Sequence, residues 1–89
     1  MNGTATHIKT LREYNPGSRE LWRLDPPHEG HTFVVTSAVV GLNGIPELLI
    51  FGADSKGRSV SGQDLEGSCR GTLDHHMALR ATGYPAVDS

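Results

Sequence analysis

The chain is short of several things that would narrow its role. One cysteine among 89 residues leaves no internal disulfide, which points to a reducing, cytoplasmic setting. No run approaches the roughly 18 apolar residues of a membrane span, and Met1-Asn2-Gly3-Thr4 opens neither a signal peptide nor a myristoylation site. Neither insertion nor anchoring is expected. Eight Lys and Arg stand against ten Asp and Glu, a formal charge of −2 that gives no bulk attraction to a phosphate backbone. No nucleic-acid partner is expected, and only a folded patch of Arg12, Arg19 and Arg23 would change that. Gly62, Gly67 and Gly71 are followed by no Gly-Lys-Ser/Thr and open no helix after a strand, so they make neither a phosphate loop nor a dinucleotide fingerprint. Ser37, Ser61 and Ser68 lack the context of a nucleophile elbow. Trp22, Phe33, Phe51 and Tyr84 would form a base-stacking platform only with interleaved Arg and Lys, whereas Asp54, Lys56, Glu47 and Thr36 are what lies near them. Core positions are the expected use of these rings.

What is present centres on residues 31 to 53. Thr32 to Val40 and Ile45 to Phe51 are two runs rich in β-branched and aromatic residues, separated by Leu42-Asn43-Gly44. Asn-Gly favours a two-residue type I′ turn, because both central positions then need φ > 0. Such a turn pairs Leu42 with Ile45, Val40 with Glu47, Ala38 with Leu49 and Thr36 with Phe51 on one side of the sheet. Val39 faces Leu48 and Ser37 faces Ile50 on the other side, with Phe33 and Val35 close by. Both sides then carry large apolar groups, unlike an antiparallel sheet with one wet face. Pro46 places the start of the second strand at a sheet edge or beside a bulge.

The flanking segments are expected to be simpler. Residues 1–18 form a tail or a short edge strand around Thr6 to Leu11, ended by the turn cluster Asn15-Pro16-Gly17-Ser18. Residues 19–89 make a single domain. Glu20 to Leu24 reads as a strand closed by the loop Asp25-Pro26-Pro27-His28-Glu29-Gly30, whose prolines cannot donate ladder bonds. Ala53 to Arg58 reads as a turn with Gly57 left-handed, leading to a short strand at Arg58 to Ser61. Ser61 to Gly71 is irregular, with room for a helical turn at Gln63 to Glu66. A helix follows over Leu73 to Thr82, with Thr72 as N-cap and Gly83 as the C′ residue, and Leu73, Met77, Ala81 and Tyr84 on its apolar side. The expected fold class is α+β, an antiparallel β-meander of three to four strands with one C-terminal helix packed on one face.

Two constellations carry candidate chemistry. Asp74-His75-His76 and His28-Glu29-His31 are the densest groups of metal-ligating or acid–base residues. Adjacent helical histidines point about 100° apart, so His75 and His76 cannot share an ion as an i, i+4 pair does. No metal site and no cofactor are expected; one histidine faces solvent and the other packs on the sheet. Cys69, just before the helix, could be activated by the helix field and by Arg70, with His75 or His76 as base. A small metal- or thiol-dependent hydrolase using Cys69, or His28 and His31 with Asp74, is therefore the alternative to a non-enzymatic protein.

The pattern Pro26-Pro27-x-x-Gly30-His31, Val34-Val35-x-Ser37-Ala38-Val39, Pro46-Glu47, Ile50-Phe51-x-Ala53-Asp54-x-x-Gly57, Leu65-Glu66-Gly67-Ser68, Gly71-x-Leu73-Asp74-His75-x-x-Ala78-Leu79 and Gly83-Tyr84 resembles small proteins of unassigned function encoded by mycobacteriophages. The likeness spans residues 20 to 85 as many weak positions without one diagnostic motif, and the chain departs from it around Asn43-Gly44-Ile45. It implies a phage accessory protein in the host cytoplasm, acting by binding a host protein and in some cases slowing host growth; no catalytic residue carries over. From the residues themselves, a two-sided apolar hairpin in so short a chain asks for cover by its own loops, by a second copy in a homodimer, or by another protein. Phe33, Val35, Val39, Leu48 and Ile50 are the expected protein-binding residues.

Overall fold

A computed structural model describes residues 3–14, 16–84 and 86–87. The elements in chain order are β1 (Thr4–Glu13), β2 (Ser18–His28), β3 (His31–Val40), β4 (Pro46–Ala53), β5 (Cys69–Arg70), α1 (His75–Ala81) and β6 (Ala86–Val87). They build one six-stranded sheet in the order β5-β4-β3-β2-β1-β6, antiparallel throughout except that β6 runs parallel to β1. The α+β reading holds in outline, but the strand count is higher than three to four. The meander itself has four long strands, because β1 is a ten-residue strand with Ala5 fully buried in the core. Two register shifts, at Ile8 and at Leu11, break the alternation of β1 and hide it from a period-two reading.

The hairpin at the centre is present, with a different tip and a different register. Gly41 N–H donates to Ile45 O (3.0 Å) and Gly44 N–H to Gly41 O (2.9 Å), while Gly44 alone of the loop has positive φ, at 77°. This is a three-residue loop, a type I turn followed by a left-handed glycine. The Asn43 side chain consolidates it by accepting from Ile45 N–H. Val40 therefore pairs with Pro46, Ala38 with Leu48, Thr36 with Ile50 and Val35 with Phe51, one residue away from the expected register. The two-residue turn with both φ positive lies instead at Glu29 (49°) and Gly30 (83°), where His28 pairs with His31. Strand β2 consequently continues through Pro26 and Pro27; its pairing with β3 is interrupted between Arg23 and His28, where the missing N–H groups are not needed.

Partners in an antiparallel ladder point to the same face. Trp22, Val34, Ala38, Leu48 and Ile50 lie under α1 and meet Leu65, Ala78, Leu79 and Tyr84 there. Of the expected Leu73-Met77-Ala81-Tyr84 stripe, Leu73 and Tyr84 pack on the sheet, but within α1 the buried residues are Ala78 and Leu79, and Met77 and Ala81 are exposed. Asp74, rather than Thr72, is the N-cap and accepts from His76 N–H. The C-terminal end is as expected: Gly83 has φ 92°, its N–H reaches Arg80 O, and Tyr84 N–H reaches Leu79 O. That bond pair, with Tyr84 packed on Leu79, is a Schellman cap.

The opposite face is covered by the chain itself. Leu21 and Val35 are fully buried beside Ala53, Leu11 and Phe33. Gly57, in the turn after β4, lies so close to Leu11 of β1 that a methyl there would come within 2.6 Å of its Cδ2. Four flat strands would hold these elements roughly 14 Å apart. The sheet must curl, and the turn folds across to close it. The free edge of β4 is sealed too: Ile50 N–H donates to Ser68 Oγ and Gly52 N–H to Ser61 Oγ, while the carbonyls of Ile50 and Gly52 accept from Leu65 and Val60 N–H.

Leu79→Ala is expected to cost about 2–5 kcal/mol, whereas Met77→Ala stays within about 0.5 kcal/mol. Urea unfolding of both variants checks which side of α1 is packed.

Candidate functional site

The polar residues that the fold brings together lie where the start of α1 meets β2 and β3. Glu20 and Thr36 are paired across β2 and β3, Trp22 is two residues further along, and all three share the helix-side face. Trp22 Nε1–H donates to Thr36 Oγ1 at 2.8 Å, and Thr36 Oγ1 lies 2.5 Å from His75 Nδ1. His75 Nε2 is 2.9 Å from Ser18 Oγ, and the Ser18 hydroxyl donates to Glu20 Oε2 at 2.5 Å. Glu20 Oε1 also receives the Thr10 hydroxyl (2.6 Å) and His7 Nε2 (2.8 Å).

The two ends of this chain fix its direction. An indole N–H can only donate and an ionised carboxylate can only accept. Ser18 has one proton, and it is committed to Glu20, so His75 Nε2 must be the donor to Ser18. Neutral His75 then accepts at Nδ1 from Thr36, whose oxygen receives the indole proton. Each hydroxyl donates once and accepts once, and among the described residues no buried side-chain polar atom is left unpartnered.

The electrostatics agree with this arrangement. Burial pushes the His75 imidazole below its ordinary value, against the attraction of Glu20 and Asp74 that would raise it. Burial alone would raise Glu20, but the hydrogen bonds from Ser18, Thr10 and His7 together hold it below the ordinary carboxylate value. The network thus favours a neutral histidine facing an ionised glutamate through a serine.

Trp22 is held edge-on between His7 (centroids 4.9 Å apart) and His76 (5.8 Å). Glu20, Leu73, Asp74 and the three histidines line a shallow cleft of about 260 Å³ with it. Among the described residues no group of three or more His, Cys, Asp or Glu is placed to hold a metal ion. The cleft is therefore polar without being a ligand cage.

The residues singled out by sequence are dispersed. His28 bonds the Glu66 carbonyl and lies beside Glu29, and the His31 ring covers Gly52. Cys69 is half-buried against the cluster of Ala38, Leu48 and Ala78. Both ring nitrogens of His75, one of the two candidate bases for Cys69, are engaged by Ser18 and Thr36. The five expected protein-binding residues do not share a surface. Leu48 and Ile50 lie fully buried under α1, Val35 is fully buried on the opposite face, and only Phe33 and Val39 are partly exposed. The one-residue difference in register separates Leu48 and Ile50 from the other three.

Among the described residues the exposed large apolar side chains are Ile8, Val40, Leu42, Ile45, Val60 and Met77, and three of these share one hairpin. Val40, Leu42 and Ile45 of the β3–β4 hairpin are exposed, Leu42 completely, and Tyr14, Pro16, Val39 and Val40 line a second shallow pocket of about 260 Å³ beside them. Ser18, Glu20 and Thr36 escaped the sequence reading because nothing local links them to His75, although Thr36-Ser37 inside an apolar run was a usable signal. No helix of the described residues is long and apolar enough to cross a membrane. No protein-family model, curated protein or solved structure matches the chain.

Thr36→Val leaves the Trp22 indole N–H and His75 Nδ1 without their partner and is expected to cost about 1–3 kcal/mol by denaturant unfolding. Because His75 titrates lower folded than unfolded, the unfolded chain binds the extra proton first as pH falls. Stability should decline below the ordinary imidazole value of 6.5 until the native value is reached, and further below 4.5 as Glu20 loses its charge. His75→Gln should remove the first decline, measured as unfolding free energy against pH for the variant and the parent.

Proposed function

We propose that this protein is a non-enzymatic interaction module that binds another protein through the apolar end of its sheet. The supporting observation is the cluster of Val40, Leu42 and Ile45 standing in solvent at one hairpin tip, next to the pocket of Tyr14, Pro16 and Val39. Large apolar side chains scattered singly are ordinary, but a contiguous group at a projecting turn is a docking feature. The packing of the domain does not use them: the buried clusters lie further along the sheet, under α1 and under the 54–58 turn.

The resemblance of residues 20–85 to mycobacteriophage accessory proteins makes a host protein in the bacterial cytoplasm the first candidate partner, with an effect on host growth as the consequence. A second copy of the chain is the other candidate. The hydrolase alternative has no comparable support, since Cys69 packs among apolar side chains and His75 is committed to two hydroxyls.

Leu42→Asp is expected to change folding stability by no more than about 0.5 kcal/mol, because the side chain is fully exposed, while abolishing association. The measurement compares parent and variant at equal folded content, by sedimentation velocity for self-association and by capture from host lysate for a foreign partner. A parent that sediments as a monomer and captures nothing beyond what the variant captures overturns the reading.

A further inference from the structure

A formal charge of −2 averages the whole surface, and the fold sorts the charges by side. Arg19, Leu21 and Arg23 alternate along β2, with Arg12 and Lys9 as the ladder partners of Arg19 and Leu21. The four cations therefore share the face of Leu21 and Val35, away from α1. Gly57 packs on Leu11 from that side, which brings Lys56 and Arg58 of the same turn to it. Six of the eight basic residues are thus gathered there, leaving Arg70 on β5 and Arg80 on α1 elsewhere. Carboxylates do not neutralise the group. Glu13 and Glu20 occupy ladder positions of the opposite face, where Glu20 is held by Ser18, Thr10 and His7. On the basic side Glu47 is paired with Arg70, Asp54 is turned to the backbone N–H groups of Lys56 and Arg58, and Asp25 lies two residues beyond Arg23. Among the described residues none of the six cations is within ion-pair distance of a carboxylate.

These cations are spread rather than paired. Arg12 and Arg19 oppose each other in the ladder, yet their heads diverge: the Arg12 guanidinium lies over Tyr14 at 5.9 Å, and the Arg19 guanidinium lies over Phe51 of β4 at 6.0 Å. Arg23 is four residues from Arg19 along β2, roughly 13 Å away. No single small anion spans such a set, whereas a polymer with a charge on every repeat meets it at several points. Aromatic rings are interleaved with the cations. Phe51 lies under Arg19, Tyr14 lies under Arg12, and Phe33 is the ladder partner of Arg23; all three rings are partly exposed. A face of one sign sets the local potential whatever the net charge, so the balance of the whole chain does not decide what this face attracts.

We infer that the side of the sheet opposite α1 binds a single-stranded nucleic acid, whose phosphates meet Arg12, Arg23, Lys56 and Arg58 while a base stacks on the Arg19 guanidinium backed by Phe51. Uncompensated cations supply the sequence-independent attraction to a phosphate backbone. Guanidinium planes and aromatic rings supply stacking surfaces that any base can use. The rings favour a strand with unpaired bases over a duplex, which keeps its bases stacked inside, and over an inorganic polyanion, which has none. This surface does not use the exposed Val40, Leu42 and Ile45, so it stands apart from the protein-binding reading.

The test is fluorescence anisotropy of the full chain with a labelled thymidine oligonucleotide about twelve nucleotides long, titrated between about 50 and 200 mM salt. Affinity should fall as salt rises, with a logarithmic slope of about −0.7 for each phosphate neutralised. Arg12→Gln, Arg23→Gln and Arg58→Gln alter exposed side chains, and urea unfolding confirms equal folded content. Each should weaken binding about threefold to tenfold and lessen the slope by about 0.7. Arg80→Gln, the same change in charge on α1, should stay within about twofold with its slope unchanged. Arg19→Gln should weaken the thymidine strand more than an abasic strand of equal charge, because it removes a stacking surface as well as a charge. A uridine strand of the same length tells whether DNA or RNA is preferred, and a preference for either supports the inference. No binding at the lowest salt, an equal loss in Arg80→Gln, or an abasic strand or duplex bound as tightly as the thymidine strand overturns it.

Discussion

The length of the loop between β3 and β4 is the constraint on which the rest of the molecule depends. A type I turn closed by a left-handed Gly44 inserts three residues between Gly41 and Ile45, and this sets β4 one step out of phase with a two-residue turn. In this phase Leu48 and Ile50 join Val34 and Ala38 on the face that receives α1, while Phe51 joins Leu21 and Val35 on the other. The step also brings Thr36 beside Ile50, so a hydroxyl stands in the middle of the helix-side core. Everything that touches α1 inherits this choice.

A seven-residue helix does not persist alone, and this one is fastened at both ends. Its C-terminus is closed by the Schellman cap, with Tyr84 carried back onto Leu79 and its hydroxyl given to the Pro26 carbonyl. Its N-terminus is capped by Asp74 and tied through His75 to Ser18 on β2 and Thr36 on β3. These hydrogen bonds dock the helix onto β2 and β3, and the fastening is sensitive to pH because it depends on a neutral imidazole.

The sheet carries buried clusters on both faces, and the outer edge of β4 is sealed by loop groups. Val40, Leu42 and Ile45 stand exposed at the β3–β4 tip, with Tyr14, Pro16, Val39 and Val40 lining a pocket beside it. Exposed hydrocarbon costs the isolated domain something. Its concentration on one turn is the reason for placing the proposed binding surface there rather than on the broad face of the hairpin.

The sequence by itself determined the features with short-range causes. The β-branched runs around Asn43-Gly44 specify two strands and a turn, Gly83 specifies the end of the helix through its positive φ, and Asp54 and Gly57 specify the turn after β4. Only the tertiary structure decided which residues face which way. A single inserted loop residue reverses the side of every β4 residue, two bulges conceal β1, and Met77 and Leu79 exchange places because the docking of α1, not its periodicity, selects the buried side. The hydrogen bonds of His75 to Ser18 and Thr36 join residues 57 and 39 positions apart. Local sequence cannot encode such meetings visibly, because they are set by strand register and sheet curl, which are properties of the assembled sheet.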